Sequence, residues 1–376
     1  MVKSQVLKTV RDIDVQGKRV LVRLDLDVPL SEVRSQKSEV GDRRSPACRR
    51  GREVGIADDT RLVNELPTIE YLLDRQAKIT VIGHLGKPNG KMIEGLRVEP
   101  VRKWFELKFP GSVIRIEENL RFDPGEEANS QSFAEDIVRH SGAEVYVFEA
   151  FATAHQRHAS IISVPKLVAE TAVGFRFAEE IRNLSRIWQN PKRPVVLVLG
   201  GAKLSTKLPL IEKLTQAADR VLLGGLFPTQ VQSSKFHAKG RAGKVQSYSS
   251  KLKIAELNSG GTDISEKFAA EFADIIMKAG TVVWNGPMGH SEKPINLLTH
   301  QRINESDSRG TSAWGTWVVA KAMRETGAFT VAGGGDTEAA LTKLGGSEGI
   351  DWISSGGGAM LYCLAYHTLP FLEALK

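Results

Sequence analysis

Only two cysteines, Cys48 and Cys363, occur in 376 residues, too few for a disulfide framework, and a reducing compartment such as the cytosol is expected. No run approaches the ~18 consecutive apolar residues of a spanning helix, so no membrane segment is expected. The opening Met1-Val2-Lys3-Ser4-Gln5 lacks the apolar stretch of a secretory signal. Gly-x-Gly-x-x-Gly followed by an acidic residue does not occur after the apolar runs, which argues against a dinucleotide enzyme. No Ser/His/Asp set or Cys/His pair stands out, and a covalent intermediate is not expected. Acidic charge is in deficit, with a formal net charge of +7. Much of the excess is local: Arg34, Lys37, Arg43, Arg44, Arg49, Arg50 and Arg52 share one polar stretch, which reads as a solvated loop rather than a groove for nucleic acid. Nucleic acid is therefore not expected as the main partner.

What is present is a repeated junction. Val195 to Leu199 is an apolar strand that empties into Gly200-Gly201-Ala202-Lys203, with Lys207 one helical turn further on. Glycines let amide groups approach a phosphate, a following helix points its positive end there, and lysines add full charges. Similar strand-to-glycine junctions follow at Gly224-Gly225, Asn285-Gly286-Pro287, Gly333-Gly334-Gly335-Asp336 and Gly356-Gly357-Gly358. In an open parallel sheet such turns lie at the carboxyl ends of the strands, where ligands bind. Upstream, 19–23, 78–82 and 145–148 read as buried strands, with helix-like segments at 61–75 and 133–140. This alternation implies parallel sheets with helices on both faces. The length fits two domains. Phe177, Ile181, Leu184 and Trp188 mark one face of an amphipathic helix that Pro191 and Pro194 stop, and the strand pattern restarts at Val195, so this helix reads as the connector.

These motifs make the chain resemble the phosphoglycerate kinases. They are Gly200-Gly201-Ala202-Lys203 with Lys207, Asp58-Asp59-Thr60-Arg61, His84-Leu85-Gly86-Lys87-Pro88, Glu118-Asn119-Leu120-Arg121-Phe122, Trp284-Asn285-Gly286-Pro287-Met288-Gly289, Gly333-Gly334-Gly335-Asp336-Thr337 and Ser355-Gly356-Gly357-Gly358-Ala359, in the family's order. The resemblance implies two Rossmann-like α/β/α domains: 1–172 for the acceptor, rejoined by 366–376; 173–190 as the connecting helix; and 191–365 for the nucleotide. It implies transfer of a phosphoryl group from 1,3-bisphosphoglycerate to ADP, giving 3-phosphoglycerate and ATP, in a monomer. Catalysis would fall to Arg61, Lys203 and Lys207. Acceptor binding would fall to Asp25, Asp27, Arg61, His84, Lys87, Arg121, His155, Gln156 and Arg157. Nucleotide binding would fall to Gly200, Gly201, Lys203, Lys207, Gly224, Gly225, Asn285, Pro287, Glu292, Gly334, Gly335, Asp336 and Thr337. Asp336 would meet the Mg²⁺ that accompanies the nucleotide, because a carboxylate among phosphates needs an intervening cation.

Departures from the family's pattern cluster in the first half. Asp27 stands where an amide is usual, Lys87 where arginine is usual, Phe148-Glu149 where Asn-Asp is usual, and Gln156 where a phosphate-binding arginine is usual. An impaired, nucleotide-binding relative is the alternative these changes raise. The segments 31–55, 226–260 and 294–312 fit the family poorly, and no conformation is assigned to them. Domain closure is expected with both substrates bound, bending at the connector, at the glycines before Asp336 and at 354–358.

Overall fold

The computed structural model describes residues 7–33, 53–201, 204–228, 250–289 and 313–376, with the side chains of 32, 33, 53 and 204–209 outside the description. The chain forms two compact units, Met1–Glu179 with Pro370–Lys376, and Glu180–Leu369.

The first unit is built on a parallel sheet of β1 (Arg19–Arg23), β4 (Lys78–Ile82), β5 (Ile114–Ile116), β6 (Val145–Phe148) and β7 (Glu170–Val173), in the order β5-β4-β1-β6-β7. Alternate side chains of a strand point to opposite faces. Val20 and Val22 of β1 pack with Leu62, Ile69 and Leu72 of the helix Thr60–Asp74 and with Val101 and Phe105 of the helix Glu99–Lys108. On the opposite face, Arg23 reaches Ser160 in the short helix Ala159–Ile162, whose carbonyl at Ser160 also accepts from the Tyr146 hydroxyl. β2 (Leu30–Val33) and β3 (Glu53–Ile56) pair antiparallel beside this sheet and bracket 34–52, which lie outside the described residues together with Cys48. The chain's end returns to this unit. Phe371 is fully buried and stacks on Phe148 with centroids 4.0 Å apart, and burial of a phenyl ring contributes about 1.5–3 kcal/mol.

The second unit carries a parallel sheet of β8 (Val195–Leu199), β9 (Arg220–Leu223), β10 (Leu252–Ile254), β11 (Thr281–Asn285), β12 (Phe329–Gly333) and β13 (Trp352–Ser354), ordered β10-β9-β8-β11-β12-β13. β8 is apolar throughout, β11 carries Val282, Val283 and Trp284 between Thr281 and Asn285, and both are buried along their whole length, as interior parallel strands are. Trp284, Phe272, Val319 and Met323 anchor the core where the helices Glu266–Met277 and Trp314–Glu325 meet the sheet.

The helix Phe175–Gln189 begins in the first unit and ends in the second. Its start is capped by Glu149, which accepts from the Arg176 and Phe177 amides at 3.0 and 2.9 Å. Five residues further on, Glu180 accepts from the Trp352 indole at 2.9 Å and from the Ser355 amide and hydroxyl at 2.7 and 2.9 Å. Among the described residues no helix is long and apolar enough to cross a membrane.

Candidate active site

In each sheet the strand order reverses once: between β1 and β6 in the first unit, and between β8 and β11 in the second. Loops leaving the sheet at such a reversal diverge and open a crevice at the carboxyl ends of the strands. The sequence motifs fall beyond the carboxyl ends of the strands at these reversals and of their neighbours.

In the first unit the loop after β1 carries Asp25 and Asp27. Asp25 is 3% exposed, and its Oδ2 accepts from Arg61 Nη1 at 3.0 Å. Burial raises the pKa of Asp25, opposed by the Arg61 charge and reinforced by Asp27. Asp27 Oδ1 accepts from the Gly86 amide at 2.7 Å, and Oδ2 lies 3.9 Å from His84 Nε2. An amide oxygen would accept the same N–H, which accounts for how a carboxylate fits in place of the family's asparagine. His84 is buried, and Arg23 Nη2 approaches its Nδ1 at 3.0 Å. A guanidinium only donates, so Nδ1 is the acceptor and the proton sits on Nε2.

Arg121 closes the group. Its Nη1 donates to the Gly86 carbonyl at 2.8 Å, its Nη2 to Gln156 Oε1 at 2.9 Å, and its Nε lies 3.5 Å from Glu127. Gln156 thus orients Arg121, whereas Arg157 points to the chain's end and pairs with Glu373 at 3.4 Å. Lys87 is exposed and makes no ion pair among the described residues. His155 and His158 are half-buried nearby, where the Arg121 charge acts on both. Burial lowers the pKa of His84 well below normal, followed by the charges of Arg23, Arg121, His158 and Arg61. Burial and Arg121 lower His158 to about 4, and burial lowers His155. Arginines and neutral histidines crowded so closely that each opposes further positive charge form a locus that an anion relieves.

Sequence reasoning missed Arg23 and the buried carboxylates around it. Glu126, fully buried, accepts from the Ser160 amide at 3.0 Å and hydroxyl at 2.6 Å, and Ser160 in turn receives Arg23 Nε at 3.2 Å. Glu149 was visible only as a departure; its partners make it a helix cap, while Phe148 is a core ring. A readable signal existed for Glu65, which shares one helical face with Leu62, Leu66, Ile69 and Leu72.

In the second unit the amides of the glycine turns bond within the protein. The Gly200 amide donates to the Asn285 carbonyl at 2.9 Å, Gly201 to Pro287 at 2.9 Å, Gly224 to Leu199 at 2.9 Å and Gly225 to Met288 at 2.8 Å. These N–H groups are occupied within the protein and are not offered to a phosphate. The glycines serve contact between turns: a Cβ on Gly200 would lie 2.1 Å from the Pro287 carbonyl oxygen, and one on Gly225 (φ +60°) 2.5 Å from the Gly201 nitrogen. Thr337 is engaged likewise. It is fully buried, its hydroxyl donates to the Gly333 carbonyl at 3.0 Å and accepts from the Gly286 amide at 2.7 Å, so no proton remains for a phosphate. Asn285 is buried, with Nδ2 donating to the Gly333 carbonyl at 2.6 Å.

Gly335 and Asp336 remain exposed, as the first two residues of the helix Gly335–Lys343, which Gly334 caps. Leading helix N–H groups have no intrahelical acceptor and carry the positive end of the dipole. Among the described residues no group of three or more His, Cys, Asp and Glu is placed to hold a metal. A single exposed carboxylate at a helix start instead fits Mg²⁺ that arrives with nucleotide phosphate oxygens. Lys207 lies in the first turn of the helix Leu204–Ala217, and its side chain, Lys203 and Glu292 are outside the described residues.

Two parallel α/β units carry charged or exposed groups beyond the carboxyl ends of their strands, and the relatives that the chain resembles make it a phosphotransferase. The family model of phosphoglycerate kinase matches residues 50–115, 106–255 and 226–366, and the chain belongs to that family. Phosphoglycerate kinases of Solibacter usitatus and Aquifex aeolicus are each 33% identical, over 420 and 427 aligned positions that cover 98% of this chain and 98% of theirs. Solved phosphoglycerate kinases from Coxiella burnetii and Pyrococcus horikoshii superpose with TM-scores of 0.73 and 0.74 at 26% identity, covering 98% of each chain.

Proposed function

We propose that the chain transfers a phosphoryl group reversibly between 1,3-bisphosphoglycerate and ADP, giving 3-phosphoglycerate and ATP. The observation that carries this reading is the cation cluster beyond the carboxyl ends of β1, β4 and β5, where the charges of Arg23, Arg61 and Arg121 act on a neutral His84. That arrangement suits a ligand with a carboxylate and a phosphate. In this reading Arg61, His84, Arg121 and His155 hold the acceptor, Lys87 adds a flexible charge at the rim, and Asp25 accepts from the substrate hydroxyl. Gln156 and Arg157 contribute through Arg121 and Glu373.

Phosphoryl transfer needs alignment and charge neutralisation more than covalent help. Lys203 would hold the nucleotide phosphates, Lys207 and Arg61 the group in transit, and Gly335 and Asp336 the phosphates and metal at the start of their helix. When bound, Mg²⁺ supplies charge neutralisation on the phosphate oxygens. Direct transfer requires both sets of residues to act on one phosphoryl group, so closure with both substrates bound belongs to the proposal. The test is ATP formation by the purified chain from 1,3-bisphosphoglycerate, ADP and Mg²⁺. Tight ADP binding without ATP formation contradicts it.

A further inference from the structure

Glu65 is 4% exposed within the apolar stripe of the helix Thr60–Asp74. Both its carboxylate oxygens face one donor, the amide of Asp25, at 3.1 and 3.0 Å. One turn later on the same helix, Thr68 donates its hydroxyl to Glu149 Oε1 at 2.6 Å, and Glu149 in turn holds the Arg176 and Phe177 amides. Asp25, Glu65 and Glu149 therefore form a buried row of carboxylates from the acceptor loop to the start of the helix Phe175–Gln189. Arg61 from Glu65's own helix pairs with Asp25, and Arg23 from β1 is directed to Ser160, His84 and the Leu24 carbonyl. Arg176, at the far end, acts on Glu149. No ion pair reaches Glu65 among the described residues.

We propose that Glu65 is a positioning residue that holds the Asp25 loop by its amide and takes up a solvent proton as the anionic acceptor binds, making acceptor affinity proton-linked. This rests on the acceptor site proposed above. A carboxylate buried between two others with no ion-pair partner is a group whose charge an incoming anion opposes. Its pKa already stands well above the ordinary value, raised by burial and then by Asp25 and Glu149, against weaker lowering by the Asp25 amide and the Arg23 charge. By linkage, whatever raises proton affinity on anion binding also weakens anion binding when the proton is absent.

The experiment compares KM for 3-phosphoglycerate in the wild type and in Glu65→Gln, which is permanently neutral, from about pH 6 to about pH 9. Dividing one KM by the other at each pH cancels the ionisation of the substrate itself. The ratio of wild-type to variant KM is expected to rise with pH by up to about tenfold, the factor for one unit of displaced pKa, without a matching trend in kcat. Glu65→Asp keeps a titrating group and retains the wild-type trend. A ratio independent of pH overturns the proposal. Should Glu65→Gln not fold, calorimetry of 3-phosphoglycerate binding to the wild type at about pH 8, in buffers of different ionisation enthalpy, decides. Proton uptake supports the proposal and none overturns it. A wild type without turnover at every pH would refute the functional reading instead.

Discussion

Arg23 Nη2 lies 3.0 Å from His84 Nδ1, and this one contact fixes which nitrogen of His84 carries the proton. The Nε2–H is left to face Asp27 and the acceptor region. Arg23 is itself held by the Ser160 hydroxyl and the Leu24 carbonyl, so a strand residue, a loop and the helix Ala159–Ile162 together set one tautomer. Replacement Arg23→Lys removes the fork that spans these partners. It is expected to raise KM for 3-phosphoglycerate about tenfold and to cost roughly 1–3 kcal/mol of stability through unpaired buried groups. Nitrogen NMR of His84 checks the cause: the Nε2–H form in the wild type and a mixture in the variant. A wild-type Nδ1–H form contradicts the assignment.

Lys207→Ala should remove most turnover while leaving ADP affinity nearly intact, because the proposed partner of Lys207 is the moving group. Loss of a charge acting mainly in the transition state costs on the order of 10² to 10³ in rate. Equal losses in ADP affinity and rate would assign Lys207 to ground-state binding.

Much of the architecture was legible because parallel strands announce themselves. The expected strands at 19–23, 78–82 and 145–148 are β1, β4 and β6, and the expected helices at 61–75 and 133–140 are Thr60–Asp74 and Gln131–Ser141. The glycine junctions do end β8, β9, β11, β12 and β13. Their use was less legible. A glycine that frees an amide for a ligand and one that lets two turns touch have the same letter, and only the carbonyls opposite Gly200, Gly201, Gly224 and Gly225 distinguish them. Arg23 looked like the end of an apolar strand, since its partners lie 61 and 137 residues away.

Gln156→Arg addresses the most marked departure in the acceptor unit. In the wild type Gln156 Oε1 accepts from Arg121 Nη2, so the substitution exchanges an acceptor for a second guanidinium. If a cation is missing there, KM for 3-phosphoglycerate falls by about tenfold, as expected for one added charge-assisted contact, while repulsion from Arg121 lowers the melting temperature. An unchanged KM would mean that the substrate phosphate does not approach this position.

Asp263 provides a pH test of stability away from the chemistry. It caps the helix Trp314–Glu325 by accepting from the Gly315 amide at 2.8 Å, and burial pushes its pKa up to about 7. A folded-state pKa raised above the unfolded value means that its contribution is fully present below the unfolded pKa of 3.8 and is lost as pH rises through about 7. The stability advantage of the wild type over Asp263→Asn should therefore shrink from acid to neutral pH and level off above it. Thermal melts would show this at about 2–4 °C per kcal/mol. An advantage that grows with pH contradicts the assigned direction.

The most direct measurement is steady-state ATP formation from 1,3-bisphosphoglycerate and ADP by the purified wild type, Arg61→Ala and Lys207→Ala. One substitution lies in each unit, and both residues are proposed to meet the same phosphoryl group. The account predicts wild-type turnover in the usual enzymatic range of about 1–10³ s⁻¹, and a loss on the order of 10² or more in each variant. Wild-type protein that binds ADP but makes no more ATP than either variant would contradict it.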